Sequence, residues 1–278
     1  MAARDGPAAA TEAQLRKEID ALRKELQYVQ LTARPALIPP PTASSTHFLL
    51  LLSDSALPLG SFAFSSGLES YLAHGSRGTT SFGSFLPSSL STYASTSLPF
   101  VLAAHRHPNA VAELDDQLDA AIVCTVGRRA SVAQGRALLS IWERSFRGTI
   151  PANEESSILK QYAGLLRASS SDEIPEVSAH LAPLFGIVCA ILGLSLRQTA
   201  YVFMLSHVKA LVSAAVRASM FGPFQAQKVL ASENVPRWID MLIEREWDTP
   251  VEEAGQTVPV MDLWIGRHEV LYSRIFNS

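Results

Sequence analysis

Seven histidines are scattered through the chain, and two of them, His105 and His107, bracket Arg106 just ahead of Pro108. A His-x-His pair in a loop could touch a transition metal weakly; a solvated loop is the plainer reading. His207 falls inside an apolar stripe at helical spacing and reads as a structural imidazole. Either it or His268 could serve as a general base only with a carboxylate or nucleophile in contact, which spacing alone does not supply. The acidic residues come as neighbours, Asp115–Asp116, Glu154–Glu155 and Glu252–Glu253. Adjacent residues on a helix point in different directions, so these read as solvated faces or caps. The chain has no Gly-x-x-x-x-Gly-Lys-Ser/Thr loop, no Gly-x-Ser-x-Gly elbow and no His-Glu-x-x-His pair. It therefore supplies no self-sufficient catalytic set, and the expectation is a protein without catalytic residues, cofactor or metal ligands of its own.

Two segments carry more. In the first, a leucine-rich run from Leu49 meets Pro58 and Gly60, then Phe62 and Phe64, then Ser65, Ser66 and Gly67, with Glu69 opening a new helix. The Pro–Gly pair forces a defined turn. Hydroxyls and a glutamate suit the next helix start, where free N–H groups and the dipole favour them. Alone, this is an ordinary helix–turn–helix corner. The second is the stretch Trp264 to Ser278, with Arg267, His268, Glu269, Tyr272, Arg274 and Phe276. Tail residues usually fray and are polar, whereas this tail carries the aromatics and arginines enriched at binding hot spots. It is expected to dock, on its own domain or on a partner.

The elements that must hold these segments are helical. Val111, Leu114, Leu118, Ile122 and Val126 form one apolar stripe; Val132, Leu138, Leu139, Trp142 and Phe146 form a second. Ile158, Leu159, Tyr162, Leu165 and Leu166 form a third, and Tyr201 through Val216 a longer one. Their spacing follows 3.6 residues rather than 2. Breaks fall at Gly148 to Pro151, Ser169 to Pro175, Gly222–Pro223 and Thr249–Pro250. The fold class expected is all-α: a compact multi-helix domain over residues 46–278. Residues 1–45 form an amino-terminal extension, a short helix followed by a stiff linker with Pro35, Pro39, Pro40 and Pro41. In that helix Leu15, Ile19, Leu22, Leu26 and Val29 are spaced 4, 3, 4, 3, a heptad seam of under three heptads. A piece so short is marginal alone; it docks, self-associates or frays. A coiled-coil adaptor module is accordingly the competing reading of the whole chain.

With 47% hydrophobic and 18% charged residues over 278 positions, the chain has ample material for a core. A net charge of −3 gives no basic excess for nucleic acid or an anionic membrane. Leu181 to Leu196 is apolar for 16 residues, shorter than the roughly 20 a span needs, and contains Pro183. It reads as a buried core helix. Cys124 and Cys189 both sit in apolar runs and make neither a disulfide framework nor a zinc site, which suits a reducing, cytoplasmic compartment. The first 30 residues are too polar for a secretory signal.

The two segments, with three more between them, resemble the urease accessory protein UreF family. Leu57-Pro58-Leu59-Gly60-Ser61-Phe62 through Gly67-Leu68-Glu69 is similar to that family's Leu-Pro-x-Gly-x-Phe-x-x-Ser-x-Gly-Leu-Glu signature. The tail matches its closing His-Glu-x-x-Tyr-Ser-Arg-Leu-Phe-x-Ser, with Ile275 for the leucine. Gln134 to Leu139, His180 to Leu194 (with Phe185, Gly186 and Gly193) and Ala215 to Gln225 also resemble family stretches. In the last, Met220-Phe221-Gly222-Pro223 replaces the usual Pro-Leu-Gly-Gln. The resemblance spans Phe48 to Ser278 and leaves residues 1 to 45 uncovered. It implies an all-helical, usually homodimeric scaffold that binds UreD/UreH and with it recruits the GTPase UreG. The assembly handles nickel binding and insertion into apo-urease, and the GTPase supplies nucleotide and metal chemistry. By the same resemblance, Arg274 with Tyr272 and Phe276 orders the tail and presents it, together with His268 and Glu269. Phe62, Phe64 and Glu69 shape the turn beneath it, and Arg217 matches a basic position tied to control of the GTPase. Arg217 could instead be a helix-surface salt-bridge partner.

Overall fold

The computed structural model describes residues 17–24, 45–75, 80–150, 154–169 and 175–277. The chain divides into two units, Met1–Thr42 and Ala43–Ser278. In the first, residues 17–24 are helical. The expected seam residues Leu15, Leu26 and Val29 and the proline-rich linker lie outside the described residues.

The second unit is all-α, with no strand among its described residues. Its helices are α1 (Ser45–Ser53), α2 (Leu68–His74), α3 (Phe82–Arg106), α4 (Val111–Ala121), α5 (Thr125–Ile141) and α6 (Glu154–Ala168). They continue as α7 (Leu181–Ile191), α8 (Leu196–Arg217), α9 (Pro223–Leu230), α10 (Asn234–Glu246) and α11 (Val260–Arg267). The apolar run at 181–196 splits between α7 and the start of α8. Leu184, Phe185, Ile187, Val188 and Cys189 of α7 are all buried, as befits a helix that is apolar on every side. It crosses α3 so closely that a Cβ at Gly186 would overlap the Val101 carbonyl oxygen. α8 is long and apolar enough to cross a membrane, yet Val202, Phe203, Met204, Val208, Leu211 and Val212 are buried inside this domain. A capping box starts it: Ser195 Oγ accepts from Gln198 N at 3.3 Å, and Gln198 Oε1 accepts from Ser195 N at 2.9 Å.

α3 runs for 25 residues despite Pro87 and Pro99. A proline within a helix has no N–H to offer the carbonyl four residues back. For Pro99 that carbonyl belongs to Ser95, and it accepts instead from Gly255 N at 3.1 Å. The strap before α11 is thereby fastened to the middle of the core helix. Thr92 adds a second fastening, its hydroxyl donating to Gln256 Oε1 at 2.8 Å.

Three expectations need correction. The stripe from Val111 to Val126 is not one helix: α4 ends at Ala121 and α5 begins at Thr125. Cys124 is therefore the half-buried residue ahead of α5, outside a helix interior, while Cys189 is fully enclosed. Of the pair Asp115–Asp116, only Asp116 is solvated. Asp115 is completely buried, and its carboxylate accepts from the backbone N–H groups of Ser178 at 2.6 Å, Ala179 at 3.1 Å and His180 at 2.6 Å. A buried carboxylate costs much unless donors surround it. These three donors also hold Ala179 at φ +71°, a conformation that disfavours a residue with a Cβ. His180 completes the joint, bonding Ser131 Oγ at 3.0 Å and Asp119 Oδ1 at 2.9 Å.

Candidate functional site

The turn that follows α1 passes through Gly60 at φ +73° into a single helical turn, Ser61–Ala63. The chain then reverses through Ser66 and Gly67 into α2. Gly67 has φ +86°, and a Cβ there would lie 3.0 Å from both Trp264 Cβ and Ile265 N. A residue without a side chain is thus required for two reasons, the left-handed backbone and the approach of α11. Trp264 fills the space beside it, its ring 5.7 Å from that of Tyr71 in an edge-on arrangement.

α2 presents Glu69 to the tail, which leaves α11 through the turn His268–Val270. The carboxylate accepts from His268 Nε2 at 2.8 Å, from Ile275 N at 2.6 Å and from Phe276 N at 3.2 Å. The acceptor is a carboxylate, so the bond places a proton on Nε2 of this enclosed ring. Asn277 N donates to Ala63 O at 2.8 Å, so the tail backbone is held at three consecutive residues. Phe276 is buried beneath.

Arg217, the last residue of α8, closes the other side. Its Nη2 donates to the Phe62 carbonyl, and its guanidinium lies 4.3 Å from the centre of the Phe276 ring. Partial burial lowers its pKa from the ordinary arginine value. A planar cation that spans a carbonyl and an aromatic face suits arginine rather than lysine. The salt-bridge reading of Arg217 does not hold, since it meets a carbonyl and a ring here.

The structure thus brings Phe62, Glu69, Arg217, His268 and Phe276 together. It separates the others. Phe64 turns inward to line a cavity of about 250 Å³ shared with Tyr93, Cys124, Phe185, Phe203 and His207. Tyr272 points wholly into solvent and orders nothing. Arg274 reaches only Glu269, at 3.9 Å between two exposed groups, so the work of ordering the tail falls to Glu69, Arg217 and Phe276. Glu269 is also paired with Arg129 of α5, a partner that sequence reading missed. Phe62, Val270, Tyr272 and Ile275 leave apolar surface exposed around the docked tail.

Neither histidine offers accessible acid–base chemistry. The Glu69–His268 pair is enclosed, and both carboxylate oxygens are occupied by tail N–H groups. His207 is bonded to Ser89 Oγ at 3.0 Å and stacked 3.9 Å from the Tyr93 ring. Burial pushes its pKa down to about 3, which makes it a weak base. His105 Nε2 donates to the Leu194 carbonyl at 2.8 Å. Among the described residues, no three His, Cys, Asp or Glu groups gather at metal-binding distance. The arrangement clasps the chain's own tail against the turn after α1 and the start of α2.

A family profile named UreF matches residues 76–233. The chain is 37% identical over 236 residues to an uncharacterized urease accessory protein UreF-like from Schizosaccharomyces pombe, covering 84% of this chain and 98% of that one. It is 32% identical over 228 residues to urease accessory protein F of Oryza sativa subsp. indica, covering 81% and 82%. It is also 32% identical over 240 residues to urease accessory protein UreF of Paenarthrobacter aurescens, covering 84% of this chain and all of that one.

Proposed function

The chain belongs to the UreF family of urease accessory proteins, and on that footing we propose that it is the scaffold which, with a UreD/UreH homologue, recruits and regulates the GTPase UreG for nickel insertion into apo-urease. In this reading it works in the cytoplasm as a homodimer and contributes binding surface rather than catalysis. Nickel binding belongs to the assembly, with the nucleotide chemistry on the GTPase.

One observation carries the reading. The tail is fixed by its backbone and by Phe276, while Tyr272, Ile275 and the neighbouring Phe62 remain on the outside. A segment held this way meets its partner already ordered, and so loses less entropy on binding. Exposed aromatic residues beside arginines suit the centre of a protein interface. Arg217 would act on the GTPase through this surface, since its guanidinium is engaged by Phe62 and Phe276.

The test is co-purification of the full chain with its UreD/UreH homologue, beside Tyr272→Ala and a chain lacking the last ten residues. Binding by the full chain, weakened at least tenfold in both variants, is the expected result. Retention of both variants would move the docking surface away from the tail. Failure of the full chain to bind would overturn the scaffold reading in favour of the coiled-coil adaptor.

A further inference from the structure

The cavity that Phe64 enters has a volume of about 250 Å³. Its mouth is marked by the exposed residues Ala121, Val123 and Gly255, at the α4–α5 junction and on the strap before α11. Among the described residues, the only charged side chain on its wall is Asp262. His207 adds no charge near neutral pH, because burial pushes its pKa down to about 3. An ion entering here would give up its water shell for little in return, so the cavity suits a neutral occupant.

The wall also sets the occupant's shape. Tyr93 lies nearly parallel to Phe203, with ring centres 4.8 Å apart and planes 14° apart, and to His207, at 3.9 Å and 9°. All three rings line the cavity, and such a parallel set matches a flat aromatic guest. A dry cavity of about 150 Å³ takes up benzene, and this one has room for roughly two fused rings.

Polar groups on the same wall are unspent. Among the described residues the Tyr93 hydroxyl has no hydrogen-bond partner, and burial raises its pKa, so it stays a donor. Gln256 adds a second donor. Its Oε1 accepts from Thr92 Oγ1 at 2.8 Å and from Val258 N at 2.9 Å. Those two donors fix which end of the amide is oxygen, and Nε2 is left buried without a partner. A buried donor without an acceptor is costly, and an oxygen atom on the guest would relieve it.

We propose that this cavity binds a neutral, planar molecule of one or two aromatic rings that carries a hydrogen-bond-accepting oxygen. The inference stands apart from the urease reading, which requires no small molecule here. Phe64 follows the turn under the tail and Ile265 lies in α11, and both line the cavity. An occupant therefore touches two of the elements that support the clasp.

Coumarin is the probe: two fused rings, no charge and one carbonyl. Titration calorimetry on the full chain is expected to show one coumarin per chain, with a Kd on the order of 100 µM. Coumarin-3-carboxylate, with the same rings and a negative charge, should bind about tenfold more weakly. No saturable coumarin binding, or equal binding of the two, would overturn the proposal. The location is read from Cys124, which lines the cavity, whereas Cys189 is fully enclosed. Saturating coumarin should slow the reaction of Cys124 with dithionitrobenzoate about fivefold; an unchanged rate would overturn the proposal. Tyr93→Phe keeps the ring stack and removes the hydroxyl. It should weaken coumarin about fivefold and leave the binding of naphthalene, which has no oxygen, unaltered. An equal loss for both ligands, or none for coumarin, would overturn the oxygen anchor on which the proposal rests.

Discussion

The Glu69 carboxylate accepts a hydrogen bond from His268 Nε2 at 2.8 Å, joining two residues 199 positions apart. The same carboxylate holds two backbone N–H groups of the tail. Glu69→Gln offers one acceptor oxygen where there were two and replaces the other with a donor. It should destabilise the tail by roughly 2 kcal/mol, because a charge-assisted acceptor is lost and one donor is left facing the new amide N–H group. Amide exchange at Ile275 and Phe276 should quicken by more than an order of magnitude while exchange in α7 is unchanged. Unaltered protection at these amides would show that the carboxylate is not the clasp.

Arg217→Lys retains charge but loses the planar fork that spans the Phe62 carbonyl and the Phe276 ring. A loss of about 1 kcal/mol is expected from the weaker ring contact and the single donor direction. Urea denaturation should show it, with Arg217→Ala costing more. Equal stability of Arg217→Lys and the parent would mean that charge alone is used.

Asp115→Asn should cost about 3 kcal/mol. An amide cannot accept from three N–H groups with both of its ends, and one donor would be left facing another. Asp116→Asn, one position on and solvated, should fall within about 0.5 kcal/mol of the parent. Similar values for the two would refute the buried-anchor account.

His207 gives a pH dependence of defined sign. Its pKa falls from 6.5 in the unfolded chain to about 3 in the folded one. Below 6.5 the unfolded state binds a proton that the folded state refuses, so stability is lost as pH falls from 6.5 toward 3. His207→Gln should remove about one proton from the slope of stability against pH between 6 and 4, about 1.4 kcal/mol per pH unit. Identical slopes would mean that the imidazole titrates normally in the fold.

Much of the fold was legible from local pattern. The stripes at 132–146, 158–166 and 201–216 fall on helices, and the apolar run at 181 opens the buried α7. What escaped had non-local causes. The stripe through Ile122 and Val126 kept helical spacing across a break, because the helices on either side of it both pack against α7. α3 carries two prolines that local propensity counts against it. The residues Ser195-Leu-Arg-Gln198 did hold a readable capping signal for α8. In the candidate site, the residue types of the turn and tail marked the two segments. Which side chains would meet was not readable: Glu69 finds its partners across most of the chain. Phe64 was grouped with Phe62 because the two are alternate residues, yet the single helical turn at 61–63 sends one outward and the other into the cavity.

Proline in a helix is commonly counted a defect. At Pro99 of α3 it works as an address. The ring silences one donor and so turns one carbonyl, that of Ser95, toward a neighbour at a chosen height along the helix. A strap far along the sequence reads that address through Gly255. An alanine at position 99 would make a better helix and erase the address. The most regular version of this core helix would thus be the one least able to tell the strap, and the α11 that follows it, where to lie.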